Sequence, residues 1–440
     1  MEIVSTYSIK IKGYNDVFKP TVHLYRQAVD WYIEVVLKEW IDVAAIAGSK
    51  ARMNYVQRIT TSTKDHPSPK YNFTTAFYKF PVYLRRAAIM EAIGKVSSYK
   101  ENCVNWKTDS QGKPPGMPKA GNVYPALYKD NMFVRAGTYE AKVKVWIRNT
   151  WDWLTVRLKK SDADYILHHC TTATECVPTL QKRGKEWFLD FPFKQTAKLN
   201  NMPVKEQTAV AVDLGINSAC TCSAVKADGT VIGKKFLKLP VENDSLNHRL
   251  NKVKQAQQRG NRGMPKLWAS VNGMNDRIAV LTAQFIVNVA QEYNADVIVF
   301  EHLDTQGRKR GSKKQRLHFW KANRVQALVM HKAHKLGIRV SHVCAWNTSK
   351  LAFDGSGTVK RGRGISENAS YSVCQFQNGK IYNCDLNASY NIAARYFVRE
   401  ILKSLSETAR LATLAKVPEC AKRTTCTLSS LFRLNAVLYA

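Results

Sequence analysis

The sequence predicts a multidomain α+β chain, with an N-terminal β-barrel interrupted by a helical insertion and then a unit in which strands and helices alternate. Three observations predict it. Residues 1–18 alternate in the manner of a strand, with Ile3, Val4, Tyr7, Ile9 and Ile11 as the apolar set. From about residue 20 the apolar period becomes helical, and from about 130 it returns to short β-branched and aromatic runs. From 207, three consecutive strand-like runs precede alternating helix and strand.

Each element follows from local chemistry. Val22, Tyr25, Ala28, Val29, Tyr32, Val35 and Val36 form one helical stripe behind Pro20. Pro81, a favoured first-turn residue, opens a second helix that carries Arg85 and Arg86. Residues 108–122 (TDSQGKPPGMPKAGN) read as a Pro/Gly linker. KVKVWI, TWDWLTVRL and EWFLDFPFK then read as strands, and Lys182-Arg183-Gly184-Lys185 as a hairpin turn.

In the second half, QTAVAVDLGI, ACTCSAVKADGT and VIGKKFLKL predict an antiparallel meander, with a turn at Lys226–Gly229. A basic helical stretch (245–263) and a long helix lead into strand DVIVFE. The helix ANRVQALVMHKAHKLGI and strand RVSHV follow. A meander followed by alternating α and β is an RNase-H-like layout. The last forty residues have helical stretches without a readable motif.

A chain of 440 residues exceeds one core. Its 67 Lys and Arg against 34 acidic residues give a net charge of +33, which predicts a polyanionic partner. The first apolar stretch carries charges, unlike a signal peptide, and no apolar run is long enough to span a bilayer. The ten cysteines have no framework spacing. A cytoplasmic protein with reduced thiols and no membrane partner is the expectation.

Against this basic background, three acidic residues stand at structurally rigid places. Asp213 lies in AVDLGIN, with Gly215 able to let backbone approach; Glu301 ends VIVFEHL; Asp385 opens CDLNASYNIAARYF. Singly, these residues read as a turn, a solvated strand end and an N-cap. Jointly they suit two-metal phosphodiester hydrolysis, in which hard oxygen ligands on rigid elements hold paired divalent ions.

AVDLGIN, IVFEHL and CDLNASYNIAAR resemble the three RuvC motifs of TnpB proteins and of the compact type V CRISPR effectors. The segment ending in Thr348-Ser349 is similar to the family's helix–strand join, 245–263 to its bridge helix, and GKPPGMPK to its Gly-Pro-rich connection. The resemblance covers nearly the whole chain and is most specific over 207–398. It implies a wedge-type β-barrel at 1–18 and 123–204 and a helical recognition lobe at 19–122. It implies a RuvC nuclease domain at 205–343 and 385–440, with an inserted nucleic-acid-binding ribbon at 344–384. By the same resemblance Asp213, Glu301 and Asp385 are ligands of two Mg²⁺ ions. The partners it implies are a guide RNA and target double-stranded DNA. It further implies a short flanking motif read by the protein, a prokaryotic nucleoid-associated setting, and a monomer or homodimer. A guided binder that does not cut, and an unguided RNase-H-type resolvase, are the competing readings.

The ribbon departs from the family pattern. Its first CxxC pair is replaced by LAFDGSG (351–357), and Gln377 stands where the partner of Cys374 would be. One matching thiolate cannot make a tetrahedral site. A metal-free remnant held by hydrophobic contacts is expected, with no zinc; a rearranged site from His342, Cys344, Cys374 and Cys384 is the alternative. Two basic runs flank the carboxylates: Arg308, Lys309, Arg310, Lys313, Lys314 and Arg316, and then Lys360, Arg361 and Arg363. Both are read as nucleic-acid contacts, as are Arg85 and Arg86, with Tyr78, Phe80 and Tyr83 as possible stacking partners.

Overall fold

The computed structural model describes residues 1–13, 16–62, 67–109, 113–215, 218–303 and 321–439. The chain divides into two compact units, Glu2–Gln195 and Thr196–Ala440, with Met1 grouped with the second.

In the first unit, β1 (Glu2–Lys12) buries Ile3, Ile9 and Ile11 on one face, as period-2 alternation requires. Helix α1 (Phe18–Lys38) follows, then α2 (Trp40–Ala45), α3 (Ser49–Thr60), α4 (Phe73–Ala76) and α5 (Val82–Asp109). The stripe on α1 is buried against Leu84, Ala88, Ile89, Ala92 and Val96 of α5. Tyr32 and Phe73 stack with ring centroids 4.9 Å apart, and Phe77 stacks on Phe73 at 4.7 Å.

The remaining elements are β2 (Phe133–Arg135), β3 (Glu140–Ile147), β4 (Thr150–Leu158), α6 (Lys160–His169), β5 (Thr174–Glu175), β6 (Thr179–Arg183) and β7 (Glu186–Thr196). The sheet order is β2-β3-β4-β1-β7-β5, with β6 also on β7. Arg148 and Asn149, both at positive φ, make the two-residue β3–β4 turn whose twist suits a hairpin. Gly184, at φ +62°, does the same between β6 and β7. The sheet curls, but among the described residues no continuous ladder joins its ends. Residues 125–133 link them through the isolated bridges Ala126–Thr179 and Lys129–Phe133.

The sequence pattern separates barrel from helical lobe; the structure gives them one hydrophobic core. Phe18 of α1 meets Trp187 of β7 at 5.2 Å, and Phe80 meets Trp151 of β4 at 5.5 Å.

The second unit is built on a five-stranded sheet. Its strands are β8 (Thr208–Asp213), β9 (Cys220–Lys226), β10 (Val231–Leu237), β11 (Val297–His302) and β12 (Arg339–Cys344). Their order is β10-β9-β8-β11-β12, the first three antiparallel and the last two parallel to β8. Helices α7 (Pro240–Gln258) and α8 (Pro265–Glu292) each begin on a proline, where the missing N–H is harmless. Helix α9 (Ala322–Lys335) precedes β12.

A small antiparallel sheet follows, of β13 (Lys360–Arg361), β14 (Val373–Gln375) and β15 (Ile381–Asn383). Three helices complete the unit: α10 (Cys384–Ser404), α11 (Glu407–Lys416) and α12 (Leu428–Tyr439). The two faces of the main sheet are covered differently. Val210, Val212, Ile298 and Phe300 pack with α8 and α9, whereas Ala209, Ala211, Val297 and Val299 pack with α10 and α12.

Candidate active site

Strand parity sets where the first two carboxylates point. Ala209 and Ala211 of β8 face α10, so Asp213, two residues on, falls on the same side. Val297 and Val299 of β11 do likewise, and Glu301 continues their row. The parallel register pairs Val212 with Phe300, so the next step sets Asp213 beside Glu301. Asp385 stands in the first turn of α10, the helix laid across that face. Asn383 caps this helix, its Oδ1 accepting from the backbone N–H of Asp385 at 3.0 Å and of Leu386 at 2.9 Å.

Asp213 lies within the field of the other two carboxylates. Burial first, then the charges of Glu301 and Asp385, push the Asp213 carboxyl well above its ordinary range; Arg361 opposes this. Burial also raises Glu301, against the hydrogen bond from Thr348 and the charge of Arg395. Asp385 is raised by burial and opposed by Arg361 and Lys238. Among the described residues, no group of three or more His, Cys, Asp or Glu side chains is arranged to hold a metal ion.

Arg361, on β13, is the cation that bears on both aspartates. Its Nε and Nη2 are buried and have no hydrogen-bond partner among the described residues. Its neighbours Lys360 and Arg363 are exposed. The sharp turn after Arg361 needs glycine: Gly362 has φ +49°, and an added Cβ would lie 2.7 Å from the Tyr371 ring.

A polar row on α10, spaced i, i+4, i+8, ties the segment after β12 to this helix. Asn387 Nδ2 donates to Leu351 O at 2.8 Å, and its Oδ1 accepts from the Phe353 N–H at 2.8 Å. Asn391 Nδ2 donates to Thr348 O and Leu351 O, both at 2.9 Å. Arg395 Nη1 donates to Cys344 O and Trp346 O, both at 2.7 Å, and Nη2 to Thr424 O at 3.0 Å. Thr348 in turn donates to Glu301. The row was not singled out from the sequence; its helical spacing in NASYNIAAR was the available signal.

The sequence reading of Arg85 needs correction. Arg85 is 8% exposed, and its guanidinium carbon lies 6.0 Å from the Phe73 ring centroid in the helical core. It is therefore not a surface contact for nucleic acid. Arg85 continues the apolar face of Ala88, Ile89 and Ala92, which is why it turns inward. Arg86 is half-buried, donates to Gln57 at 3.1 Å and lies 5.2 Å from the Tyr83 ring. Phe80 is core, whereas Tyr78 is 72% exposed. Gly215 is needed for a tight turn, since an added Cβ would lie 2.6 Å from Ser218 O. Arg308, Lys309, Arg310, Lys313, Lys314 and Arg316 lie outside the described residues.

The small sheet at 344–384 packs around Ala352, Cys374, Phe376 and Cys384. Phe353 meets the rings of Tyr382, Tyr390 and Phe376 at 5.1, 5.2 and 5.4 Å. Cys374 and Cys384 share this cluster, whereas His342 and Cys344 sit on β12 and line a separate cavity. The four residues of the rearranged-zinc alternative are thus not gathered.

Comparison with known proteins agrees with this architecture. A model described as the Aq_aa04 family matches residues 5–147. The chain is 28% identical over 157 residues to the uncharacterized protein aq_aa04 of Aquifex aeolicus (strain VF5), spanning 31% of this chain and 88% of that one. It is 26% identical over 232 residues to the TnpB-like protein aq_aa05 of the same organism, spanning 48% of this chain and 74% of that one. Among solved structures, it superposes on Cas12f1 from a cryo-EM structure of a Cas12f1–sgRNA–target DNA complex. The TM-score is 0.53 at 13% identity, over 86% of this chain and 81% of that chain. The fold is shared with that compact effector, and the resemblance to TnpB holds at the level of sequence. Among the described residues, no helix is long and apolar enough to cross a membrane.

Proposed function

We propose that this relative of the TnpB-like proteins is an RNA-guided DNA endonuclease that cuts target DNA with a single RNase-H-like RuvC site. The observation that carries the reading is the placement of Asp213 and Glu301 on neighbouring strand ends, on the face crossed by the helix that Asp385 opens. The Cas12f1 structure holds an sgRNA and target DNA. A net charge of +33 suits the same partners here. Guide pairing would read sequence, with the protein reading duplex shape and a short flanking motif.

Mg²⁺ fits the donor chemistry, although the three side chains are not drawn together as ligands in this structure. The charges of Glu301 and Asp385 raise the cost of ionising Asp213, and carboxylate oxygens are the ligands hard divalent ions prefer. Asp213, Glu301 and Asp385 would hold the metal, which when bound polarises the phosphate and activates water.

The rest falls to this chain's own residues. Thr348 holds Oε1 of Glu301, and so fixes that carboxylate's rotamer. The Asn383 cap fixes the first turn of α10 and hence Asp385. Arg361 brings buried, unpartnered donors toward the aspartates, where a phosphodiester oxygen would take them. Exposed Lys360 and Arg363 flank it as backbone contacts for the incoming strand. The sheet carrying them would then be a strand-guiding insertion held by its apolar core rather than by zinc.

The test is to purify the protein from cells carrying its native flanking DNA and sequence the RNA that accompanies it. Cleavage of a matching target is then assayed with and without Mg²⁺. A discrete RNA with a variable end, and Mg²⁺-dependent cutting lost in Asp213→Ala, is the expected result. Random fragments and guide-independent cutting would turn the reading to an unguided nuclease.

A further inference from the structure

We infer that the second unit carries a nucleotide-binding cleft beside Glu301, separate from the carboxylate site. A cavity of about 950 Å³ opens between β12, α10, α11 and the segment that precedes α12. It adjoins the carboxylates: His302 follows Glu301 directly, and Cys344 and Ala345 lead into the loop that carries Thr348.

The lining has two chemistries. Val398, Leu402, Leu405 and Leu414 supply an apolar wall. Arg395, Arg399, Lys403, Arg410 and Arg423 supply cations, against the one carboxylate of Glu407. Two of these cations are committed to structure. Arg395 is spent on backbone carbonyls, and Arg399 Nη1 and Nη2 bond His342 O and Ser341 Oγ, both at 2.7 Å.

The others are available. Among the described residues Lys403 pairs with Glu400 at 3.5 Å and Arg410 with Glu407 at 3.3 Å; Lys403 is exposed and Arg410 half-exposed, so both pairings are weak. Arg423 is exposed. An apolar wall beside uncommitted cations fits a base with its phosphate, and the volume suffices for one nucleotide. A small inorganic anion would leave the apolar wall wet, and an apolar ligand would leave the cations unanswered.

The shared chemistry could come from a single-stranded segment or from a free nucleotide. Cys344 provides a direct reporter, because it lines the cleft and is half-buried rather than enclosed. In the full-length protein, its alkylation by a small maleimide is followed by peptide mass mapping. The competitors are a short oligothymidylate and thymidine triphosphate. Cys103 and Cys176, both half-buried and in the other unit, serve as internal controls.

Selective protection of Cys344 by the oligonucleotide alone marks a strand-binding subsite; protection by the triphosphate at equal concentration marks a free-nucleotide site. In either case Arg410→Glu with Arg423→Glu should raise the half-protecting concentration at least about tenfold. Raising salt should do the same. The melting temperature of the double variant should stay unchanged, since both side chains are exposed or half-exposed. Absence of protection by either ligand, or protection indifferent to the two charge reversals, would overturn the proposal. The readout needs no cleavage, so its failure is distinguishable from failure of the nuclease reading.

Discussion

The hydroxyl of Thr348 donates its hydrogen to Oε1 of Glu301, and the same hydroxyl lies 3.0 Å from the carbonyl of Ala345. Thr348 is 2% exposed, so the contact is shielded from water. It joins the loop after β12 to the strand that bears the carboxylate. Replacing Thr348 with Val keeps the shape and removes the donor. We expect cleavage to fall about 10- to 100-fold, the range for a lost partner of a metal ligand. Thr348→Ser should keep most of the activity. Single-turnover rates of the three proteins decide it.

Asp213→Asn should abolish cutting and leave guide and target binding nearly intact. The variant should also melt higher than the wild type in metal-free buffer. Asp213 has a raised carboxyl pKa in the folded state, so the folded protein binds its proton more tightly than the unfolded chain. The stability this confers is fully present below the unfolded value of about 3.9 and is lost as pH rises through the higher folded value. The gap in melting temperature between Asn variant and wild type should therefore widen with pH across that window. On the proposed reading added Mg²⁺ should narrow it, because the cation would bind the native carboxylates and not the unfolded chain.

Arg361→Ala should lower kcat by roughly 10²–10³, the scale of losing one oriented donor to a developing charge. Arg361→Lys should not restore it, since a point charge lacks the guanidinium fork. Binding of target DNA should change much less than kcat. Equal losses in both would make Arg361 a simple phosphate anchor.

Asn391→Ala should destabilise the second unit by about 2–4 kcal/mol. Asn391 is fully buried and serves Thr348 O, Leu351 O and the Leu428 N–H. Leu351 O keeps its bond from Asn387, but Thr348 O and the Leu428 N–H would lose the Asn391 partner. Chemical denaturation followed by a probe in that unit measures it. Because Thr348 is one of its partners, cleavage should fall as well.

A zinc-selective chelator should leave the melting temperature unchanged, because the small sheet closes on Phe353, Phe376 and Tyr382. Phe376→Ala should destabilise that sheet by about 3–5 kcal/mol, as loss of a buried aromatic does. A large loss of melting temperature on chelation would instead assign the sheet a metal.

The second unit was the more legible half of the sequence. Carboxylates at the ends of apolar runs reveal themselves because a strand has a period of two and a buried run ends where charge begins. The parity of Ala209, Ala211 and Asp213 already says which face the carboxylate takes. Arg85 misled because a basic residue beside aromatics suggests a surface, although its spacing from Ala88, Ile89 and Ala92 marks it as inward. Arg361 could be named as basic but not aimed, since its direction depends on the pairing of Arg361 with Cys374 across β13 and β14. The shared core of helices and curled sheet in the first unit rests on contacts such as Phe18 with Trp187, which no local pattern announces.

The row Asn387, Asn391, Arg395 has a consequence for the order in which the carboxylate site assembles during synthesis. Arg395 is satisfied by carbonyls at Thr424 and Cys426, and Asn391 by the Leu428 N–H, all of which leave the ribosome after the three carboxylates. A nascent chain that has already emerged past Asp385 still lacks the partners that seat this helix. Seating of α10, and with it the carboxylate site, therefore waits until the segment around 424–428 has appeared; on the proposed nuclease reading, prematurely terminated chains would not cut.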